Sequence, residues 1–111
     1  MTLNDLASTT GIESLHADFD PDTTISGGYT SDLLSDVMAN AKDGCILITI
    51  QAHNNTVAVA SLAGAACILI CSGRSVPDDM IVSARRERIA LFRTAENQFQ
   101  ASNRIGKRIG A

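Results

Sequence analysis

The 111-residue sequence predicts an α/β domain: a small, mostly parallel sheet with helices on its faces. Three observations predict it. Cys45-Ile-Leu-Ile-Thr-Ile50, Cys67-Ile-Leu-Ile-Cys71 and Ile89-Ala-Leu-Phe92 are short, continuous apolar runs, as strands buried on both faces require. Their starts are 22 residues apart each time, enough for a strand, a short helix and two turns. The segments between them carry helical stripes with start and stop signals. The repeat is one of β-α structure, since the intervening residues differ.

The elements follow in order. Thr2 with Asp5 forms a capping box that opens a short helix burying Leu3, Leu6 and Ala7, and Gly11 ends it. Residues 12–16 and 24–29 are candidate strands separated by the turn Asp20-Pro21-Asp22. Ser31 is placed to cap the next helix, with Asp32 near its positive dipole end. Its apolar stripe is Leu33, Leu34, Val37, Met38 and Ala41, and Asp43-Gly44 closes it. Asn55-Thr56 starts a second helix over residues 57–63, closed by Gly64, whose alanines let it lie close to the sheet. Pro77-Asp78-Asp79 starts a third, with the stripe Met80, Ile81 and Ala84, and Arg85, Arg86 and Arg88 complement its end. Thr94 caps a last helix with the stripe Ala95, Phe99, Ser102 and Ile105, weakened at its end by Gly106 and Gly110.

Composition narrows the class. At 45% hydrophobic and 19% charged residues the chain is too apolar to be disordered, and its length fits a single domain over residues 1–111. A net charge of −3 argues against a general nucleic-acid binder. Residues 1–43 carry a net −7 and residues 44–111 a net +4, an asymmetry that internal pairing or a partner subunit can use. No apolar run approaches the roughly eighteen residues of a membrane span. The start, Met1-Thr2-Leu3-Asn4-Asp5, has neither the basic nor the apolar region of a secretory signal, so a cytoplasmic protein is expected. Cys45, Cys67 and Cys71 lie in apolar runs and read as buried thiols of a reducing compartment. With only His16 and His53 to add, a metal site is not expected, and neither is a cofactor.

Three short segments are candidates for binding. Ser26-Gly27-Gly28-Tyr29 precedes the helix near Ser31, and Gly27 and Gly28 there can turn backbone N–H groups toward an anion. The bland alternative is a bend with positive φ and nothing bound. Gln51, His53, Asn54 and Asn55 follow the first apolar run, where parallel sheets bind ligands outside their carboxyl ends. They offer amide and imidazole groups, although Asn55 also serves as an ordinary helix cap. Ser72, Gly73 and Arg74 follow the second run in the same way; Gly73 permits a tight turn, and Arg74 suits a phosphate or carboxylate. Other matches fail. Gly106-Lys107-Arg108 lacks the hydroxyl of a phosphate-binding loop and has no strand before it. Asp18-Phe-Asp20-Pro-Asp22 has Thr23 and Tyr29 where a calcium loop needs glycine and glutamate. His16 reads as structural or solvated.

Gly27-Gly28-Tyr29-Thr30-Ser31-Asp32-Leu33-Leu34-Ser35-Asp36-Val37-Met38, followed by Cys45-Ile-Leu-Ile-Thr-Ile-Gln51-Ala-His53 and Val57-Ala58-Val59-Ala60, resembles the stand-alone DRTGG-domain proteins. The resemblance covers residues 25–105, and the literal Asp-Arg-Thr-Gly-Gly string is missing. It implies a fold similar to the N-terminal domain of HPr kinase/phosphorylase. It also implies an association with iron-only hydrogenase and other redox proteins. Related domains beside CBS domains imply a regulatory or ligand-sensing role. A serine-kinase activity is not expected, because the chain has no phosphate-binding loop.

The function expected is a non-catalytic module that binds a small anionic ligand such as a nucleotide, through Gly27, Gly28, Ser31, Gln51, His53, Asn54, Ser72 and Gly73. A homodimer is expected, because so small a chain has a limited core. The second reading is a ligand-free interaction or assembly module. The third, an enzyme using His53 as base, lacks a visible nucleophile or acid and stands last.

Overall fold

The structure, a computed structural model, describes residues 1–110. Its elements are α1 (Leu3–Ala7), β1 (Ile12–Ser14), β2 (Gly27–Thr30), α2 (Leu34–Asn40), β3 (Cys45–Thr49), α3 (Asn54–Ala63), β4 (Cys67–Ile70), α4 (Asp78–Glu87), β5 (Ala90–Thr94) and α5 (Gln98–Ile109). The sheet order is β1-β5-β4-β3-β2. β2 to β5 are parallel, and β1 pairs antiparallel with β5. No helix among the described residues is long and apolar enough to cross a membrane.

Each parallel strand is laid down beside the one before it, so the right-handed crossovers place α2, α3 and α4 on one face. Val37, Val57, Ala60, Met80 and Ala84 pack there against Leu47, Ile68, Ile70 and Leu91. α1 and α5 cover the other face, where Leu3, Leu6, Ala101 and Ile105 meet Ile46, Ile48, Cys67, Leu69 and Phe92. Alternate residues of β3 and β4 thus serve two cores, which is why both strands are buried throughout and apolar but for Thr49. The three cysteines are free and buried. Burial raises the thiol of Cys67 far above its ordinary value and that of Cys71 to about 11. A raised thiol pKa favours the folded state below the ordinary thiol range, and that contribution is lost as pH rises toward the raised value.

Several sequence expectations are corrected. The strand expected over residues 24–29 is found as β2, and it excludes the alternative of a bend at Gly27 and Gly28, which lie opposite Cys45 and Ile46 with no positive φ. Of the stripe expected for the helix found as α2, Val37 is buried, whereas Leu33 is 64% and Met38 43% exposed. Leu33 is the extended residue preceding α2 and not a helical residue. Ser31 does not cap that helix by the usual bond; its Oγ accepts from the Leu33 backbone N–H at 3.2 Å. Thr94 does not cap the last helix, because it pairs with Ile12 in the sheet. Asn97 caps α5 instead, in a capping box with Gln100. The later start moves the buried stripe to Ala101 and Ile105 and leaves Phe99 82% exposed. Of the two readings given for His16, the structural one holds: its Nδ1 accepts from the Asp18 N–H at 3.0 Å, and its Nε2 meets the Ile89 carbonyl at 2.8 Å.

Gly64 ends α3 in the left-handed region, φ 74°, and a Cβ there would stand 2.2 Å from Asp43 Oδ1. Its carbonyl also accepts from the Gly44 N–H at 2.7 Å, which locks the α3–β4 turn to the α2–β3 turn. Gly64→Ala is expected to cost about 1–2 kcal/mol from backbone strain, with more from displacing Asp43. Thermal unfolding checks this; an unchanged midpoint contradicts it.

Candidate functional site

The parallel register brings the exits of β2, β3 and β4 to one edge of the sheet. Asp32 organises this edge. Its Oδ1 accepts from Thr49 Oγ1 at 2.9 Å, from the Ile50 N–H at 2.9 Å and from Gln98 Nε2 at 2.8 Å. Its carbonyl accepts from Gln51 Nε2 at 2.9 Å. A single residue, two positions beyond β2, therefore ties together the end of β3, the loop beyond it and the start of α5.

That network fixes Gln51, whose Oε1 meets His53 Nε2 at 3.1 Å. The Gln51 carbonyl accepts from Thr56 Oγ1 at 2.7 Å, which anchors the first turn of α3. His53 is the extended residue that precedes α3; no side chain caps that helix, and its first turn holds no acid. The backbone N–H groups at the start of α3 are consequently open to an anion, at the positive end of the helix dipole. Asn54 behaves differently from the expectation: its side chain donates to Asp79 Oδ2 at 2.9 Å and accepts from Ser83 Oγ at 3.1 Å. It joins α3 to α4 and lines a cleft of about 250 Å³ between them.

Beyond β4, Ser72 has φ 62° and Gly73 φ 60°. A serine in the left-handed region is strained, and such strain collects at functional sites. The pair is held by the Ser72 N–H donating to the Glu96 carbonyl at 2.7 Å and the Gly73 N–H donating to the Thr94 carbonyl at 2.9 Å. The Gly73 amide is thus occupied and cannot serve an anion, while the exposed Ser72 side chain remains available. Glu96 also pairs with Arg104 at 2.8 Å, and Arg104 Nη1 donates to the Thr10 carbonyl at 2.8 Å.

The structure therefore groups Ser31, Gln51, His53, Ser72 and Gly73 at one edge, with the Asn54 backbone beside them. Gly27 and Gly28 stand at the other end of β2, along a cleft of about 470 Å³ lined also by Tyr29, Asn40 and Lys42. Sequence reasoning missed Asp32 as the organiser, and Thr49 and Gln98 as its donors. On the outer side of α2, Tyr29 Oη donates to Asp36 Oδ2 at 2.8 Å. This bond, with Ser31 and Asn40, holds the Asp36 carboxyl below its usual range; the same bond, with burial and the nearby Asp36 charge, pushes the Tyr29 phenol up.

No protein-family model and no curated protein matches the chain. Among solved structures it is similar to the crystal structure of the CBS and DRTGG domains of the regulatory region of Clostridium perfringens pyrophosphatase, complexed with the activator diadenosine tetraphosphate. The TM-score is 0.71 at 15% identity, over 92% of this chain and 44% of that one. The chain spans less than half the length of that structure. What the two share is the fold: the α/β class read from the sequence is found, and the DRTGG-type resemblance is supported at the level of architecture.

Proposed function

We propose that the chain is a non-catalytic regulatory module that senses a small anionic ligand of the nucleotide class at the carboxyl edge of its sheet. The observation that carries this reading is the start of α3: its N–H groups have no side-chain cap and no acid, and they open beside His53 and the Gln51 loop. A phosphate group fits there, received by the backbone N–H groups of residues 54 and 55. Gln51, His53, Ser31 and the Ser72 hydroxyl are the polar groups around it, and Gly73 shapes the turn. Gly27 and Gly28 lie too far along β2 to share that ligand and drop out of the site. The similar pyrophosphatase regulatory region binds a dinucleoside polyphosphate activator, which supports the ligand class. The resemblance to hydrogenase-associated DRTGG proteins supports a redox protein as the partner that reads the bound state. His53 meets the Gln51 amide and no carboxylate among its hydrogen bonds, which favours binding over a role as base.

A thermal-shift titration with ATP, ADP, diadenosine tetraphosphate and pyrophosphate tests the reading. At a hundred times its dissociation constant a ligand adds about 2.7 kcal/mol, several degrees for a domain of this size. The shift is expected to shrink in His53→Ala and in Ser72→Ala. No shift with any of the four contradicts a nucleotide-class ligand.

A further inference from the structure

We propose that the outer edge of β2 is the dimerisation strand of this chain, pairing antiparallel with β2 of a second copy across a two-fold axis. β2 has one strand neighbour, β3. The Ser26 N–H donates to the Gly44 carbonyl at 2.9 Å, so the alternation of a parallel ladder turns the backbone groups of Gly27 and Tyr29 outward. Exposed edges of this kind are normally blunted by charge, proline or a bulge. Residues 26–31 contain no charged residue and no proline. The opposite edge strand, β1, is only three residues long and carries Glu13, paired to Arg93 at 2.8 Å.

The surroundings of β2 are complementary to themselves. On the α2 side the 470 Å³ cleft runs beside Gly27, Gly28 and Lys42. On the α5 side a cleft of about 150 Å³ lies between Gly28, Thr30, Ser102 and Gly106. Two apolar knobs stand at the other end of the strand: Leu33 on the α2 side, 64% exposed, and Phe99 on α5, 82% exposed. The bond from Gln98 to Asp32 places both beside the end of β2. Phe99 and Gly106 are seven residues apart and share one stripe of α5, the stripe that borders the strand.

A two-fold axis perpendicular to the sheet reverses the strand and keeps each helical layer on its own side. It carries Leu33 of the second copy toward the first copy's cleft at Gly27 and Lys42. It carries Phe99 of the second copy toward the cleft at Gly28 and Gly106. Lys42, which makes no ion pair among the described residues, approaches the α2 side of the second copy's edge, where Asp36 lies against Tyr29 of β2. Each knob, cleft and charge meets its counterpart twice, as an isologous contact requires. That match between the two ends of one edge is what selects a second copy over a foreign peptide.

Sedimentation equilibrium of the full chain tests this. The wild type is expected to be a dimer in the micromolar range. Gly27→Lys puts a charge on the edge at a position where a Cβ has open space. Leu33→Ser with Phe99→Ser removes the knobs. Both variants are expected to keep the wild-type circular dichroism and to weaken the dimer about tenfold or more, about 1.4 kcal/mol. Val82→Ser, exposed on α4 away from the edge, leaves the dimer unchanged. A wild-type monomer throughout the range, or a dimer that both edge variants leave intact, overturns the proposal.

Discussion

Phe92→Ala is expected to cost about 3–5 kcal/mol, the range for removing a large aromatic from a packed interior. Phe92 has no exposed surface, and it lies in β5 with β4 on one side and β1 on the other. Its ring meets Phe19 edge-on at 5.9 Å, and Phe19 in turn meets His16 at 5.9 Å. The ring therefore supports both the α1–α5 layer and the long connection from β1 to β2. Domains are stable by about 5–15 kcal/mol in total, so this loss is a large share of the whole. Urea unfolding monitored by circular dichroism measures it. A midpoint close to wild type contradicts the packing described.

Asp32→Ala is the second large effect, and it acts on the site as well as on stability. The substitution leaves Thr49 Oγ1, the Ile50 N–H and Gln98 Nε2 without their common acceptor. Thr49 is fully buried, and an unsatisfied buried polar group costs about 1–3 kcal/mol. Asp32 itself is half-buried, so water replaces part of what is lost, and a total of about 2 kcal/mol is expected. Asp32→Asn keeps an acceptor oxygen in place and is expected to recover much of the loss. Hydrogen exchange at Ile50 and Gln51 distinguishes the two: protection falls sharply in the alanine variant and moderately in the asparagine variant. Equal protection in wild type and Asp32→Ala contradicts the assignment of Asp32 as organiser.

The parts of the fold legible in the sequence are those set by local pattern or by burial on both faces. β3, β4 and β5 are read from continuous apolar runs, and the Thr2–Asp5 capping box and the Gly64 stop are read from their residues alone. The sequence places the start of α5 at Thr94, and the structure places it after Asn97: both residues suit a cap, and only the pairing of Thr94 with Ile12 decides between them. Leu33 and Phe99 read as helix stripe because periodicity takes no account of where a helix begins. The loops at Gln51 and Ser72 are legible in the sequence as the exits of two parallel strands, because each follows a continuous apolar run. Asp32 was not, since its donors lie 17, 18 and 66 residues away and leave no local signature. Gly27 and Gly28 leave two readings open in the sequence, the candidate strand over residues 24–29 and a bend that glycine permits; the pairing to residues 45 and 46 decides for the strand.

The measurement that tests the central claim most directly is a two-dimensional amide NMR titration with the nucleotide giving the largest thermal shift. The account predicts that perturbed signals cluster at residues 51–55, at Ser31 and Asp32, and at Ser72 and Gly73. Signals of Gly64 and Arg88, which line the cleft of about 400 Å³ at the opposite edge, stay in place. Perturbations centred on Gly64 and Arg88, or none at saturating nucleotide, contradict a ligand site at the carboxyl edge of the sheet.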